Sequence, residues 1–278
     1  MDVIGSTGTG TEVLLAEVLA GEHGPLPEEL TATSVFWAHH GTRLAGGSTT
    51  YLNQYVLVRV GGAFGACAFE AAELDPGICG ALSGSSLGTL LRDPSRPVRI
   101  AALDAYLAAV RPHRDAGAEA VLLPTGPPEV RAVARDAAIA GLLDVPQGAG
   151  VALIGVVNPL VAAIRERGGV PLLCDLNLRT TQWGDPVARD MAEVLDTADA
   201  VVATGMTLSN GSFDTILARC RERGVPLVVY AQTGSAVARA FLGAGVSAVS
   251  AEPFPFSQFS AEETVLYRYR AGGAGEVA

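Results

Sequence analysis

The chain has 278 residues, of which 49% are hydrophobic and 17% are charged. This composition excludes an intrinsically disordered chain, because enough apolar surface is present to offset the entropy of ordering. Nineteen basic residues against 29 acidic ones give a net charge of −10, which argues against nucleic acid or an anionic membrane as a partner.

The N-terminal part carries the patterns of a small α+β unit. Residues 11–20 have the apolar spacing of an amphipathic helix. Residues 33–40, 50–60 and 65–70 are rich in β-branched and aromatic residues and are separated by glycine clusters. They predict a small antiparallel meander of strands, and a further helix is predicted after Pro97.

From Val151 onward, short apolar runs alternate with helical stretches. The five runs are residues 151–157, 171–176, 199–205, 226–232 and 246–251. This alternation predicts an open, parallel, doubly wound sheet of the Rossmann-like α/β class. Because the segment VPQGAG at 145–150 is typical of a junction, we predict a small α+β domain over 1–147 and a Rossmann-like domain over 148–278.

Polar side chains follow the first two strands of this sheet. Ligands in such sheets bind beyond the carboxyl ends of the strands, which makes Asn158, in the loop that begins at Gly155, a candidate contact. That loop lacks the GxGxxG motif that is typical of dinucleotide-binding sites. Asp175 follows Gly155 by twenty residues, about the spacing at which a Rossmann acid meets ribose hydroxyls, and Asn177 lies beside it. Capping within the loop is the alternative for both residues.

The loop after the third strand brings hydroxyl groups, an amide and glycines to a helix N-terminus. This combination favours binding of an anion or another polar ligand. The predicted contacts are Thr204, Gly205, Met206, Thr207 and Asn210. Local capping of the helix by Asn210 and Ser212 is the alternative.

The stretch TGMTLSNGSFDTIL, residues 204–217, resembles the motif of a family of unknown function labelled as putative heavy-metal chelation. The resemblance extends along 151–259. More weakly, residues 55–70, 79–88 and 99–110 resemble the enolase N-terminal-like domain that leads that family. The resemblance implies a ligand or metal site in a cleft between two domains. Residues 231–235 depart from a Gly-Pro-Ser segment of the family, although Thr233 and Gly234 still offer hydroxyl and N–H donors.

Two adjacent histidines, His39 and His40, are candidate metal ligands. Neighbouring residues on a strand face opposite sides, so both imidazoles reach one metal only if the strand breaks at Gly41. The alternative is that the two histidines are polar residues at the end of a hairpin and bind no metal. Ser85, in a Gly-Ser segment, is either part of a helix entry or a second polar wall of the cleft.

The types and spacing of the reactive side chains exclude several kinds of active site. All 19 basic residues are arginine, which excludes a lysine Schiff base and a P-loop lysine. The four cysteines lie far apart without a CxxC pair, against a zinc knuckle or a redox dithiol. GxSxG is also absent, so a hydrolase nucleophile elbow has no support.

These patterns predict a protein that binds a small polar ligand, either a metal ion or a metal chelate, in an interdomain cleft. A divalent metal ion is the cofactor expected on this interpretation. The alternative is an enzyme that uses S-adenosylmethionine or NAD on a small metabolite, with His39, His40 or Asp175 as the acid-base group. A structural or partner-binding module is a third class.

The remaining expectations concern partners and location. We expect a small-molecule ligand, with neither nucleic acid nor membrane as a partner, and the sequence is compatible with a homodimer. The sequence starts Met1-Asp2-Val3 without a basic or apolar leader, which predicts a cytoplasmic protein.

Overall fold

The computed structural model describes residues 10–43 and 50–272. The strands in this part are Ser34–Thr42 (β1), Tyr51–Val60 (β2), Ala63–Phe69 (β3), Glu119–Leu123 (β4), Gly150–Ile154 (β5), Val170–Cys174 (β6), Ala200–Thr204 (β7), Leu227–Ala231 (β8), Ala248–Ala251 (β9) and Thr264–Arg270 (β10). The α-helices are Thr11–Leu19 (α1), Ile78–Leu82 (α2), Leu87–Leu91 (α3), Arg96–Val110 (α4), Pro128–Ala140 (α5), Asn158–Glu166 (α6), Ala192–Leu195 (α7), Met206–Ser209 (α8), Phe213–Arg223 (α9) and Ser235–Ala240 (α10). Short 3-10 helices span Pro27–Glu29, His113–Asp115 and Ser257–Phe259.

The small sheet is an antiparallel meander in the order β1-β2-β3, as the sequence predicts. Helix α4 packs directly on β3, and Gly65 makes this close approach possible. A Cβ at Gly65 would lie 2.0 Å from the backbone nitrogen of Ala105 in α4. The apolar side chains of α4 therefore form the core of the N-terminal part together with one face of the small sheet.

The large sheet has seven strands in the order β4-β10-β9-β8-β7-β5-β6. Strands β5 to β9 are parallel, which confirms the predicted parallel sheet. The chain passes from β5 outward to β6 and then returns to β7 on the other side of β5, which creates a topological switch point between β5 and β7. Helices α5 and α6 pack on one face, and α9 and α10 pack on the other.

Two further strands extend this sheet. Strand β10 is antiparallel to both β9 and β4, and it lies between them. Strand β4 precedes residue 147, so the large sheet takes one strand from the N-terminal side of the predicted junction. The molecule is thus a mixed α/β protein with a predominantly parallel large sheet. The division at 147/148 and the likeness to an enolase N-terminal domain stay predictions.

The two sheets meet through an aromatic segment that follows β9. Phe256 is fully buried, and its ring centroid lies 5.4 Å from that of Tyr55 on the small sheet. The same cluster includes Phe254 and, from α8, Met206. The carboxyl ends of β7, β8 and β9 therefore lie against the small sheet. In the described part of the chain, no helix has both the length and the apolar character needed to cross a membrane.

Candidate functional site

The loops after β5, β7 and β8 contact one another at the switch point. A Cβ at Gly155, whose φ is +86°, would lie 2.5 Å from Cγ2 of Thr204, so this position requires glycine. The Tyr230 hydroxyl donates to the Gly155 carbonyl oxygen at 2.6 Å. Burial raises the pKa of Tyr230, and a hydrogen bond with the Thr204 side chain opposes that rise. Tyr230 is thus a neutral polar group that joins three strand ends.

Asp175 stands at the end of β6, in the position that the ribose hypothesis requires. Its Oδ2 accepts from the Val156 backbone N–H at 2.9 Å. Its Oδ1 accepts from the N–H groups of Asn177 at 2.8 Å and Leu178 at 2.9 Å. Both oxygens therefore organise the loops after β5 and β6, and a ribose would have to share them. The Asn177 residue itself is exposed.

Asn158, the first residue of α6, is engaged in a similar way. Its Oδ1 accepts from the backbone N–H of Gln182 at 3.1 Å. The bond ties α6 to the loop that follows β6, next to the switch point.

The predicted loop at 204–210 forms the short helix α8, which contacts β3 and α4 of the N-terminal part. Thr207 is 1% exposed, and its hydroxyl donates to the Thr204 carbonyl at 2.7 Å. Asn210 Oδ1 accepts from the N–H of Ser212 at 3.0 Å and from its hydroxyl at 2.7 Å. Arg96 of α4 donates to the Leu208 carbonyl at 2.9 Å. The loop contacts β3 and α4, and its polar groups have local partners.

The loop after β8 also reaches the small sheet. The Gly234 N–H donates to the Ala66 carbonyl on β3 at 2.9 Å. Thr233 is 4% exposed, and its carbonyl oxygen would lie 2.3 Å from a Cβ at Gly205. Beside it, buried Asp104 accepts from the N–H groups of Ala66 at 2.9 Å and of the second residue of α10 at 2.7 Å.

The two candidate metal-binding histidines do not converge. Strand β1 continues through Gly41 to Thr42, so His39 and His40 lie on opposite faces. His40 shares a hydrogen bond of 3.0 Å with the Thr42 hydroxyl, its ring lies 5.0 Å from that of Phe259, and burial lowers its pKa. Within residues 10–43 and 50–272, no group of three or more His, Cys, Asp or Glu side chains is placed to hold a metal ion.

Ser85 lies away from these loops. Its backbone carbonyl accepts from Ala32 at 2.9 Å, and its N–H donates to the carbonyl of Leu82 at 3.1 Å. These bonds fix the segment before β1. None of the residues that it bonds belongs to the loops after β7 or β8.

A polar cluster that the sequence did not predict lies beyond the carboxyl ends of β8 and β9. Glu252, which is 2% exposed, accepts from the Gln232 amide at 2.9 Å and from the Ser257 N–H. The Gln232 amide also donates to the Gln258 side chain at 2.7 Å, and Gln258 donates to the Tyr55 hydroxyl at 3.3 Å. Polar side chains therefore connect the large sheet to the small one. We call these side chains, together with Tyr230 and the three residues described in the next two paragraphs, the Glu252 cluster: Tyr55, Arg135, Asp136, Tyr230, Gln232, Ser250, Glu252 and Gln258.

Helix α5 contributes an ion pair to the cluster. Arg135 Nε donates to Asp136 Oδ1 at 2.7 Å. One turn earlier, buried Arg131 donates to the Ser257 carbonyl at 3.3 Å, so this face of α5 is directed at the segment after β9. Burial alone would lower the pKa of Arg135, but the charges of Asp136 and Glu252 outweigh it and raise the pKa. Burial raises the pKa of Asp136, and the Arg135 charge opposes that rise.

Two buried acceptors at this place lack a partner. Asp136 Oδ2 and Ser250 Oγ have no hydrogen bond to any described residue. Ser250 is paired with Tyr230 across β9 and β8, so both side chains lie on the sheet face that α5 covers. The signal that could have found this cluster is an acid directly after a buried strand: Glu252 follows β9 as Asp175 follows β6.

Two depressions lie elsewhere on the described surface. A cavity of about 40 Å³ separates α4 from α10 and is lined by Leu107, Val110, Arg111, Ala236, Arg239 and Ala240. A wider hollow lies near Pro226 and Ser247, at the amino ends of β8 and β9. The second lies at the opposite ends of the strands from the carboxyl-end loops.

Comparison with known proteins shows which family model and which solved structures the chain resembles. Residues 137–252 match the model of DUF364, described as putative heavy-metal chelation. A DUF364 protein of unknown function from Desulfitobacterium hafniense DCB-2 has a TM-score of 0.61 at 14% identity, covering 92% of this chain and 98% of its own. One from Pyrococcus horikoshii has a TM-score of 0.56 at 16% identity, covering 92% and 99%. No curated protein matches. The predicted resemblance to this family is confirmed, and the two structures share the fold.

Proposed function

We propose that this protein binds a small polar ligand, a metal ion or a metal chelate, between the carboxyl ends of the large sheet and the small sheet. The observation that carries the proposal is the pair of unpartnered acceptors, Asp136 Oδ2 and Ser250 Oγ, within a buried polar cluster. An unpaired buried polar atom costs about 1–3 kcal/mol, so a bound polar molecule that donates to these atoms stabilises the site.

The position of the cluster supports the same conclusion. It lies at the ends of parallel strands, where open α/β sheets bind ligands. Tyr230 connects it to the predicted loop residues Gly155 and Thr204. The loops at 204–210 and 233–234 form the wall toward the small sheet. The description of the matching family is consistent with metal as part of the ligand.

The donor set does not fit a metal ion held by protein side chains alone. His39 and His40 lie on opposite strand faces, and the described residues contain no triad of metal-ligating side chains. A metal in this proposal is therefore cargo, and no step depends on a resident metal ion.

The experiment is a thermal-shift and native mass-spectrometry screen on the full chain. The panel holds divalent metal ions, polar metabolites, metal chelates, S-adenosylmethionine and NAD. A ligand at 100 times its Kd adds about 2.7 kcal/mol to the stability, a shift that is easily measured. We expect Glu252→Gln to reduce the shift, because glutamine keeps only one of the two acceptor oxygens that hold Gln232 and Ser257 in the cluster. Glu263→Gln, an exposed carboxylate change, should leave the shift intact. No shift with any member, or equal shifts in both variants, contradicts the proposal.

A nucleoside cofactor is the second candidate, favoured by the place of Asp175 beside the Gly155 loop. Because its carboxylate already accepts three backbone N–H groups, Asp175→Asn will loosen the loop as well as any ribose contact. A thermal shift produced by NAD or S-adenosylmethionine that disappears in Asp175→Asn, and persists in Glu252→Gln, would favour an enzyme. A shift that depends on Glu252 alone would exclude it.

A further inference from the structure

We propose that the ligand is recognised through a carboxylate group held by the guanidinium of Arg135, and that any metal is coordinated by this ligand rather than by the protein. This inference rests on the proposed function and names the chemical class of the ligand: a hydroxycarboxylate, free or as a metal chelate.

Arg135 is an anchored guanidinium with free donors. Its Nε is held by Asp136 at 2.7 Å, and its side chain remains 20% exposed. The described residues offer its two terminal nitrogens no hydrogen-bond acceptor. By contrast, the terminal nitrogens of Arg131 bond to the Pro124 and Glu262 carbonyls and to the Thr264 hydroxyl. Arg131 is thus structurally satisfied, whereas the fork of Arg135 is available to a ligand.

The fork geometry selects the ligand chemistry. A guanidinium binds a carboxylate or a phosphate with two parallel hydrogen bonds. Here the charges of Asp136 and Glu252 also act on Arg135. A doubly charged phosphate would meet two carboxylates against one guanidinium, so a singly charged carboxylate group is the better match.

The unpartnered acceptors of the cluster specify the rest of the ligand. Asp136 Oδ2 and Ser250 Oγ lack donors among the described residues, and Asp136 is bonded to Arg135 through its other oxygen. A ligand hydroxyl supplies such a donor next to the carboxylate. Hydroxyl and carboxylate oxygens on one molecule are also an oxygen-donor set for metal ions. The same ligand can therefore bind Arg135 and carry a metal that the described side chains are not arranged to hold.

The test is isothermal titration of the full chain with three probes: lactate, nickel(II) chloride and nickel(II) lactate. We expect lactate and its nickel complex to bind, and Arg135→Gln to weaken both by about 10–100-fold, the loss expected for charge-assisted hydrogen bonds. Arg135→Lys keeps the charge without the fork and should recover only part of the affinity. Arg114→Gln is the matched control, since Arg114 is 75% exposed and pairs with its exposed neighbour Asp115.

A chemical control needs no variant and covers the case in which Arg135→Gln fails to fold. Ethyl lactate keeps the hydroxyl and removes the carboxylate charge, so it should not bind wild-type protein. Binding of ethyl lactate, or no binding of lactate in either form, overturns the inference. Stoichiometric nickel(II) binding that is equal in wild type and Arg135→Gln also overturns it, but leaves the proposed function standing. The proposed function fails on its own screen, if no member of the panel shifts the melting temperature or if Glu252→Gln and Glu263→Gln show equal shifts.

Discussion

Replacement of Asp104 by asparagine should remove a large pH dependence from the stability of the protein. Asp104 is 2% exposed between α4, β3 and the start of α10, and its oxygens accept from the N–H groups of Ala66 and Ala236. Burial raises its pKa to about 6, although those hydrogen bonds and the charge of Arg239 oppose the rise. Keeping the Asp104 carboxylate ionised in this buried position therefore lowers the free energy of unfolding.

The sign follows from proton binding. Below about pH 3, Asp104 is protonated in both folded and unfolded chains. As the pH rises toward 6, the unfolded chain loses the proton first, so the free energy of unfolding falls with pH. A rise in pKa from 3.8 to about 6 corresponds to about 3 kcal/mol, since each tenfold change in proton affinity is about 1.4 kcal/mol. The stability contribution present at pH 4 is thus lost once the pH exceeds about 6.

The assay is urea unfolding of wild type and Asp104→Asn between pH 4 and pH 7. The difference in unfolding free energy, wild type minus variant, should fall by about 2.4 kcal/mol over this range, because contributions of other groups cancel and part of the total is already lost at pH 4. Asp115→Asn, an exposed carboxylate, is the control and should show a nearly constant difference. A flat difference for Asp104→Asn, or one that rises with pH, would refute the reasoning.

Three further variants test the packing that positions the site, each by urea unfolding against wild type. Gly65→Ala places a Cβ against the backbone of α4 and should cost about 3 kcal/mol or more, whereas Gly62→Ala, with open space around it, should stay within about 0.5 kcal/mol. Phe256→Ala should cost about 3–5 kcal/mol and Phe259→Ala, at 39% exposure, clearly less; equal costs would show that the aromatic segment does not hold the sheets together. Tyr230→Phe removes a buried hydrogen bond and should cost about 1 kcal/mol; no loss would mean that the bond to the β5 loop is not formed.

Elements with a strong local pattern were predictable from the sequence. The apolar spacing of residues 11–20 became α1, and the three β-rich runs became the meander. The five alternating runs became β5 to β9. In each case the hydrophobic period is carried by neighbouring residues, so tertiary contacts reinforce the local preference rather than override it.

The edge of the large sheet was not predictable in this way. Strand β10 lies between β9 and β4, and its partner β4 comes from well before the predicted junction. Leu266 pairs with Val121 across a long separation in sequence. No local pattern specifies such a partner, because the pairing is fixed only when the whole sheet assembles.

The residues of the candidate site also differ in whether their hydrogen-bond partners are near or distant in the sequence. For Asp175 and Asn210 the sequence leaves ligand contact and local capping open, and in the structure both side chains accept N–H groups from residues a few positions away. The Glu252 cluster depends on distant partners instead. Gln258 bonds Tyr55 across 203 residues, and Gln232 bonds Glu252 across 20.

This difference indicates where in the molecule a ligand would gain the most hydrogen bonds. A polar group that is satisfied by its own loop gains little from a ligand, because binding exchanges one hydrogen bond for another. Asp136 Oδ2 and the fork of Arg135 have no such partner among the described residues, so a ligand adds hydrogen bonds there without displacing any. The predicted loops at 155 and 204 therefore position Tyr230, and through it the cluster in which a ligand has the most to gain.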